Sequence, residues 1–191
     1  MDTQTPETNE TAPTSRRALI ASLLGAGAAV VAAGRVSASG AASASTATTV
    51  APPQRSDADT ETLNGILAME KDMVATYAAA KANTSGDDLA ALSLIESHHL
   101  AYVQALEGYM GRAAVAGAGN AAALQGSGYS GLAVELAAEE ARCVQAHVAA
   151  LTRLQGVDAA SLVASIITVE ARHRAALLVS AAGTVNALAG N

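Results

Sequence analysis

Phenylalanine and tryptophan are absent from this chain of 191 residues, and aromatic residues make up 2% of it. A core without large rings must be filled by Ala, Leu, Val and Ile, so its elements have to approach closely. Basic residues are also scarce. Eleven Lys and Arg stand against 17 Asp and Glu, a net charge of −6, and no basic run is interleaved with aromatics. That pattern argues against a nucleic-acid partner. The single cysteine, Cys143, has no second thiol in the chain, so no internal disulfide holds the fold. What remains is 51% hydrophobic and rich in alanine, a composition that favours helix over strand. The length suits one domain with a sizeable core, plus a tail.

The N-terminal part reads differently from the rest. Residues 1–15 are polar, and Ser15-Arg16-Arg17-Ala18-Leu19-Ile20 then opens an apolar run that lasts to about Gly34. This run is shorter than the ~20 residues that a spanning helix usually needs. Two adjacent arginines before a mildly hydrophobic stretch resemble a twin-arginine export signal. Small-residue cleavage patterns end at Ala38 and at Ala44, and the sequence does not choose between them. The competing reading is an uncleaved N-terminal anchor. We assign residues 1–38 to the signal, 39–57 to a flexible Ser/Thr/Ala/Pro-rich linker, and 58–191 to the folded domain. The resemblance implies export through the twin-arginine machinery to the periplasm, cell envelope or medium. It also implies export in the folded state, which suits a protein that takes up metal in the cytoplasm.

Within the domain the apolar spacing predicts four helices. The first, about 59–82, aligns Leu63, Ile66, Leu67, Glu70, Val74 and Tyr77, with Asp57 or Asp59 as its cap. The second, about 88–113, aligns Leu92, Ile95, Glu96, His99, Val103, Leu106 and Met110, and leaves His98 facing outward. The third, about 131–154, aligns Ala133, Leu136, Glu140, Val144, His147 and Leu151; the fourth, about 159–186, aligns Val163, Ile166, Glu170, His173 and Leu177. Carboxylates thus sit among the apolar positions, not opposite them. The stretch 114–130 is longer than a hairpin needs and, extended, would span ~55 Å. A 24-residue helix is ~36 Å long, so this segment can run the height of a bundle, with room for a short helix near Asn120–Gln125.

Glu96-Ser97-His98-His99 and Glu170-Ala171-Arg172-His173 each place a Glu three residues before a His. On a helix those positions share a face, so each pair can grip one ion. An internal repeat reinforces this. Glu70 is followed by Val74 and Tyr77, and Glu140 by Val144 and His147, at the same offsets. The repeat also favours Glu140 over its neighbour Glu139. One Glu from each of two helices and Glu-x-x-His from two others is the pattern by which ferritin-like bundles hold two metal ions. The chain resembles the ferritin-like superfamily over roughly residues 58–190, and looks like an exported bacterial member.

That resemblance implies an all-α, ferritin-like four-helix bundle with one long crossover between helices 2 and 3. It implies metal ligation by Glu70, Glu96, His99, Glu140, Glu170 and His173, with Tyr77 and His147 as neighbours of the metal pair. Four buried carboxylates would repel unless two divalent cations neutralised them. Carboxylate and imidazole without thiolate suit iron first and manganese second. The expected activity is ferroxidase or peroxide-consuming chemistry, with oxygen or peroxide as the reacting partner. The rival is a non-catalytic metal-binding or structural domain of the cell envelope, since fold alone does not decide.

Overall fold

The computed structural model describes residues 57–182; the proposed signal, nearly all of the linker and residues 183–191 lie outside that range. The described chain is four α-helices with no strand: α1 (Asp57–Lys81), α2 (Gly86–Met110), α3 (Gly128–Leu151) and α4 (Val157–Ala181). Each expected helix is present, with its boundaries shifted by a few residues toward the N-terminus. Among the described residues, none of these helices is long and apolar enough to cross a membrane.

Helix α1 packs chiefly on α2, α3 chiefly on α4, and the two hairpins meet mainly through α1 and α3. The repeat is visible in what these two helices bury. Leu63, Ile66, Leu67, Glu70, Met73, Tyr77 and Ala80 of α1 are matched in turn by Ala133, Leu136, Ala137, Glu140, Cys143, His147 and Ala150 of α3. Val74 and Val144, expected on this face, are only half-buried, and Met73 and Cys143 take the inward positions. Cys143 therefore acts as the small core residue that its composition suggests. At these positions α3 carries Ala133, Ala137, Cys143 and Ala150, so much of the core is filled by small residues rather than by large rings.

The apolar core comes in two pieces. One gathers Tyr77, Ala80, Leu92, Ile95, Leu136 and Leu177; the other gathers Leu63, Ile66, Leu106, Met110, Val163 and Ile166. The buried Glu and His residues occupy the levels between them.

Two tethers fix the connections. Asp59 lies within the first turn of α1. Its two carboxylate oxygens accept the backbone N–H groups of Gln155 and Gly156, each at 2.8 Å, and so clamp the α3–α4 turn to the start of α1. After α2, a short 3₁₀ turn (Gly111–Ala113) leads into an irregular segment, and the room left for a short helix near Asn120–Gln125 is not used. That segment is held along α1: Val115 N–H donates to Asn64 Oδ1, Asn120 N–H to Asp72 Oδ1, and Ala122 N–H to Thr76 Oγ1. At Gly119 the approach is so close that a Cβ would lie 1.9 Å from the Lys71 carbonyl oxygen. Gly119→Ala should therefore lift the segment off α1 and cost about 1–3 kcal/mol, as buried or tight-contact substitutions do. Urea unfolding checks this, and hydrogen exchange should show the Asn120 and Ala122 amides losing protection.

Candidate metal centre

Burial drives the chemistry of the central layer. Glu70, His99, Glu140, His147, Glu170 and His173 are all 0% exposed, and His98 is 8% exposed. All four histidines of the chain meet there. A buried charge is costly unless paired, and the network shows the pairing.

Glu140 is the hub. Its Oε1 accepts Tyr77 O–H at 2.6 Å, lies 3.1 Å from His99 Nε2, and lies 3.4 Å from His173 Nδ1. His99 spans two carboxylates, since its Nδ1 is 2.8 Å from Glu70 Oε2. Glu70 Oε1 is in turn 3.6 Å from His147 Nε2, and His147 Nδ1 is 2.9 Å from Glu170 Oε2. At the other end His173 Nε2 is 2.8 Å from His98 Nδ1. Aromatic contacts hold the rings in place: Tyr77 stacks on His99 at 5.4 Å, and Tyr102 meets His99 edge-on at 5.8 Å.

These contacts move the proton affinities. Burial opposes a charged imidazole at His99, but the Glu140 and Glu70 carboxylates outweigh it and push its pKa up to about 10. Burial likewise opposes the Glu140 carboxylate, yet the His173 and His99 rings hold it well below the usual range. At Glu170 burial prevails, helped by the Glu70 charge, and the carboxyl is pushed up to about 8 despite the bond from His147. His147 is raised because Glu170 overcomes the cost of its burial. His98 goes the other way, lowered to about 4 by burial and by its histidine neighbours. Burial and the adjacent Glu140 raise the Tyr77 phenol, which stays neutral.

Six of these residues fall into two triads, His99–Glu140–His173 and Glu70–His147–Glu170. In each, one ligand atom per residue lies within 4.8 Å of the others. Both triads could hold a metal ion. The fit is supported by atoms left over from hydrogen bonding. Five buried side-chain atoms of the described chain have no hydrogen-bond partner: Glu70 Oε1, Glu140 Oε2, His147 Nε2, Glu170 Oε1 and His173 Nδ1. Every one belongs to a triad. Buried polar atoms are rarely left so, and oxygen and imidazole nitrogen are the donors that divalent ions take. Ligands ~2.1 Å from one ion stand roughly 3–3.5 Å apart in octahedral or tetrahedral geometry. The 3.4 Å and 3.6 Å His–Glu gaps are close to that spacing.

Five of the six expected ligands are brought together: Glu70, His99, Glu140, Glu170 and His173. Glu96 is not. Its carboxylate pairs with Lys81 across the α1–α2 hairpin and is partly exposed. His147, expected as a neighbour, takes the sixth place, while Tyr77 does adjoin the cluster as expected. His98, expected to face outward, is buried against His173, with the ring centroids 5.1 Å apart and the planes 14° from parallel.

One rotation accounts for both changes on α2. That helix keeps Leu92, Ile95, His99, Leu106 and Met110 buried as expected and adds Ala91, His98 and Tyr102 on one side. On the other side Glu96 and Val103 are only half-buried, a small turn of the buried face. The turn buries an aromatic ring and brings Glu96 to Lys81. The 4-3-4 spacing of Ala91, Ile95, His98 and Tyr102 is present in the sequence and could have signalled it. Glu139, set aside in favour of Glu140, pairs at the surface with Arg142.

Glu96→Ala should therefore leave the metal stoichiometry unchanged and cost no more than about 1 kcal/mol, as for a partly exposed ion pair. Elemental analysis beside urea unfolding checks both halves. No family model, curated protein or solved structure matches this chain.

Proposed function

We propose that this protein is an exported ferritin-like protein whose four-helix bundle binds two divalent metal ions, iron foremost and manganese second. The observation that carries the metal reading is the coincidence of the five unpartnered buried atoms with the two triads. The ferritin-like part is supported by helix directions. Glu70 lies by His147 and Tyr77 by Glu140, so α1 and α3 run antiparallel. Helices α2 and α3 then point the same way, and the segment along α1 reads as the long crossover. Glu96 on Lys81 departs from the family pattern: α4 gives Glu170 and His173, while α2 gives only His99 to the triads and α3 gives both Glu140 and His147.

A metal pair in such a site supplies redox chemistry toward oxygen or peroxide, and ferroxidase or peroxide-consuming turnover is the activity we assign. The chain's own part is to hold the ligands without water, with Tyr77 and Tyr102 packed on the His99 ring. The second reading, a metal-binding domain without catalysis, is favoured by the complete burial of all six ligands. Anaerobic loading with Fe(II), then mixing with oxygen or peroxide, separates the two. Oxidation faster than in a Glu140→Ala control supports turnover; background rates leave the binding reading and remove the enzymatic one.

Export rests on Arg16-Arg17 and the apolar run behind them. Arg16→Lys with Arg17→Lys should strand the protein in the cytoplasm, and undisturbed export would contradict that assignment.

A further inference from the structure

His98 stands apart in the central layer. It belongs to neither triad, has no counterpart in the repeat (Arg172 occupies the matching place on α4 and is only half-buried), and yet is turned inward. We propose that His98 is a positioning residue that accepts the Nε2–H of His173 and so fixes His173 in the tautomer whose Nδ1 is bare toward a cation. The inference rests on the metal-binding reading above.

An imidazole–imidazole hydrogen bond holds one proton, so the 2.8 Å contact of His98 Nδ1 and His173 Nε2 allows two arrangements. If His98 donated, a neutral His173 would carry its proton on Nδ1, facing Glu140 Oε1. That separation is 3.4 Å, beyond the usual length of an N–H···O bond, and Nδ1 is without a hydrogen-bond partner. The same oxygen already accepts Tyr77 and lies by His99. If His173 donates, its Nδ1 lone pair and the carboxylate face a common ion at ligand-to-ligand spacing. Metal-binding histidines generally donate their second N–H to a carboxylate, carbonyl or water, and here the His98 lone pair stands in that place. The two ring planes are 14° from parallel and the rings meet edge to edge, with centroids 5.1 Å and nitrogens 2.8 Å apart. This is the in-plane alignment that an N–H···N bond needs, and it orients the His173 ring.

The test compares His98→Leu, which removes the acceptor, with His98→Asn, whose side-chain oxygen can take the place of Nδ1. Co(II) is titrated into each full-length, metal-free protein and followed by its absorption. His98→Leu should bind the ion at one of two sites at least ~10-fold more weakly, and His98→Asn should bind close to wild type. Nitrogen-15 spectra of the wild type before and after Zn(II) loading should place the His173 proton on Nε2 already in the metal-free protein, which decides the matter even if the Leu variant does not fold. Wild-type affinity at both sites in His98→Leu, or a proton on His173 Nδ1, overturns the proposal. A wild type that binds neither ion removes the metal reading itself and this proposal with it.

Discussion

Glu140→Ala should destabilise the metal-free protein by about 3–5 kcal/mol, the usual result of removing one partner from a buried charged network. Tyr77 O–H loses its acceptor, and His99 keeps only Glu70. Neither group can turn to water, because both residues are 0% exposed. Against a total of about 5–15 kcal/mol for a typical domain, such a loss is large enough to bring the fold near its limit. Glu140→Gln keeps the shape and an oxygen for Tyr77 but not the charge, so it should fall between Ala and wild type. Glu139→Ala, one residue away, should cost less than about 1 kcal/mol, since Glu139 only meets Arg142 at the surface. Urea unfolding of the three variants checks the order. Both Glu140 variants should also lose metal at the His99–Glu140–His173 triad.

The second large effect is a reversal of pH dependence on metal loading. In the metal-free protein His99, His147 and Glu170 all have folded pKa values above their ordinary ones. Their contribution to stability is complete below those ordinary values and is lost as pH rises through the raised ones. Glu140, held low, contributes above the ordinary carboxylate range and loses its contribution as pH falls through that range and below it. Stability should thus peak in mildly acidic solution and decline from pH ~6 to ~9, with His99 alone worth on the order of 3 kcal/mol across that window. Metal reverses the slope, because ions need deprotonated ligands and binding releases protons. The loaded protein should hold or gain stability over the same range. Thermal unfolding at a series of pH values, with and without Fe(II) or Zn(II), reads both slopes; parallel declines would mean that ions do not replace the protons of this centre.

Much of the helical layout could be read in the sequence because the apolar stripe is long and regular on each helix. The repeat rightly favoured Glu140 over Glu139, since the same offsets recur around Glu70. Glu-x-x-His spacing fixes only that two residues share a face; it does not say which face looks inward. On α4 that face is the buried one, and Glu170 and His173 both enter the cluster. On α2 a small turn of the buried face, which keeps Ile95 and His99 inside, also buries Tyr102, leaves Glu96 at the rim and brings His98 in. The pull of Lys81 on Glu96 comes from another helix, which spacing within α2 does not reveal. His147 gave a partial signal, as it stands where the repeat places Tyr77, but only the α1–α3 contact shows it between Glu70 and Glu170.

Metal content tests the central claim most directly. Protein purified without chelator, then reconstituted anaerobically with Fe(II) or Mn(II) and desalted, should hold two ions per chain by elemental analysis, with Glu140→Gln and Glu170→Gln each holding fewer. A wild-type chain that retains no ion after reconstitution, or variants that retain as much as the wild type, would contradict the account.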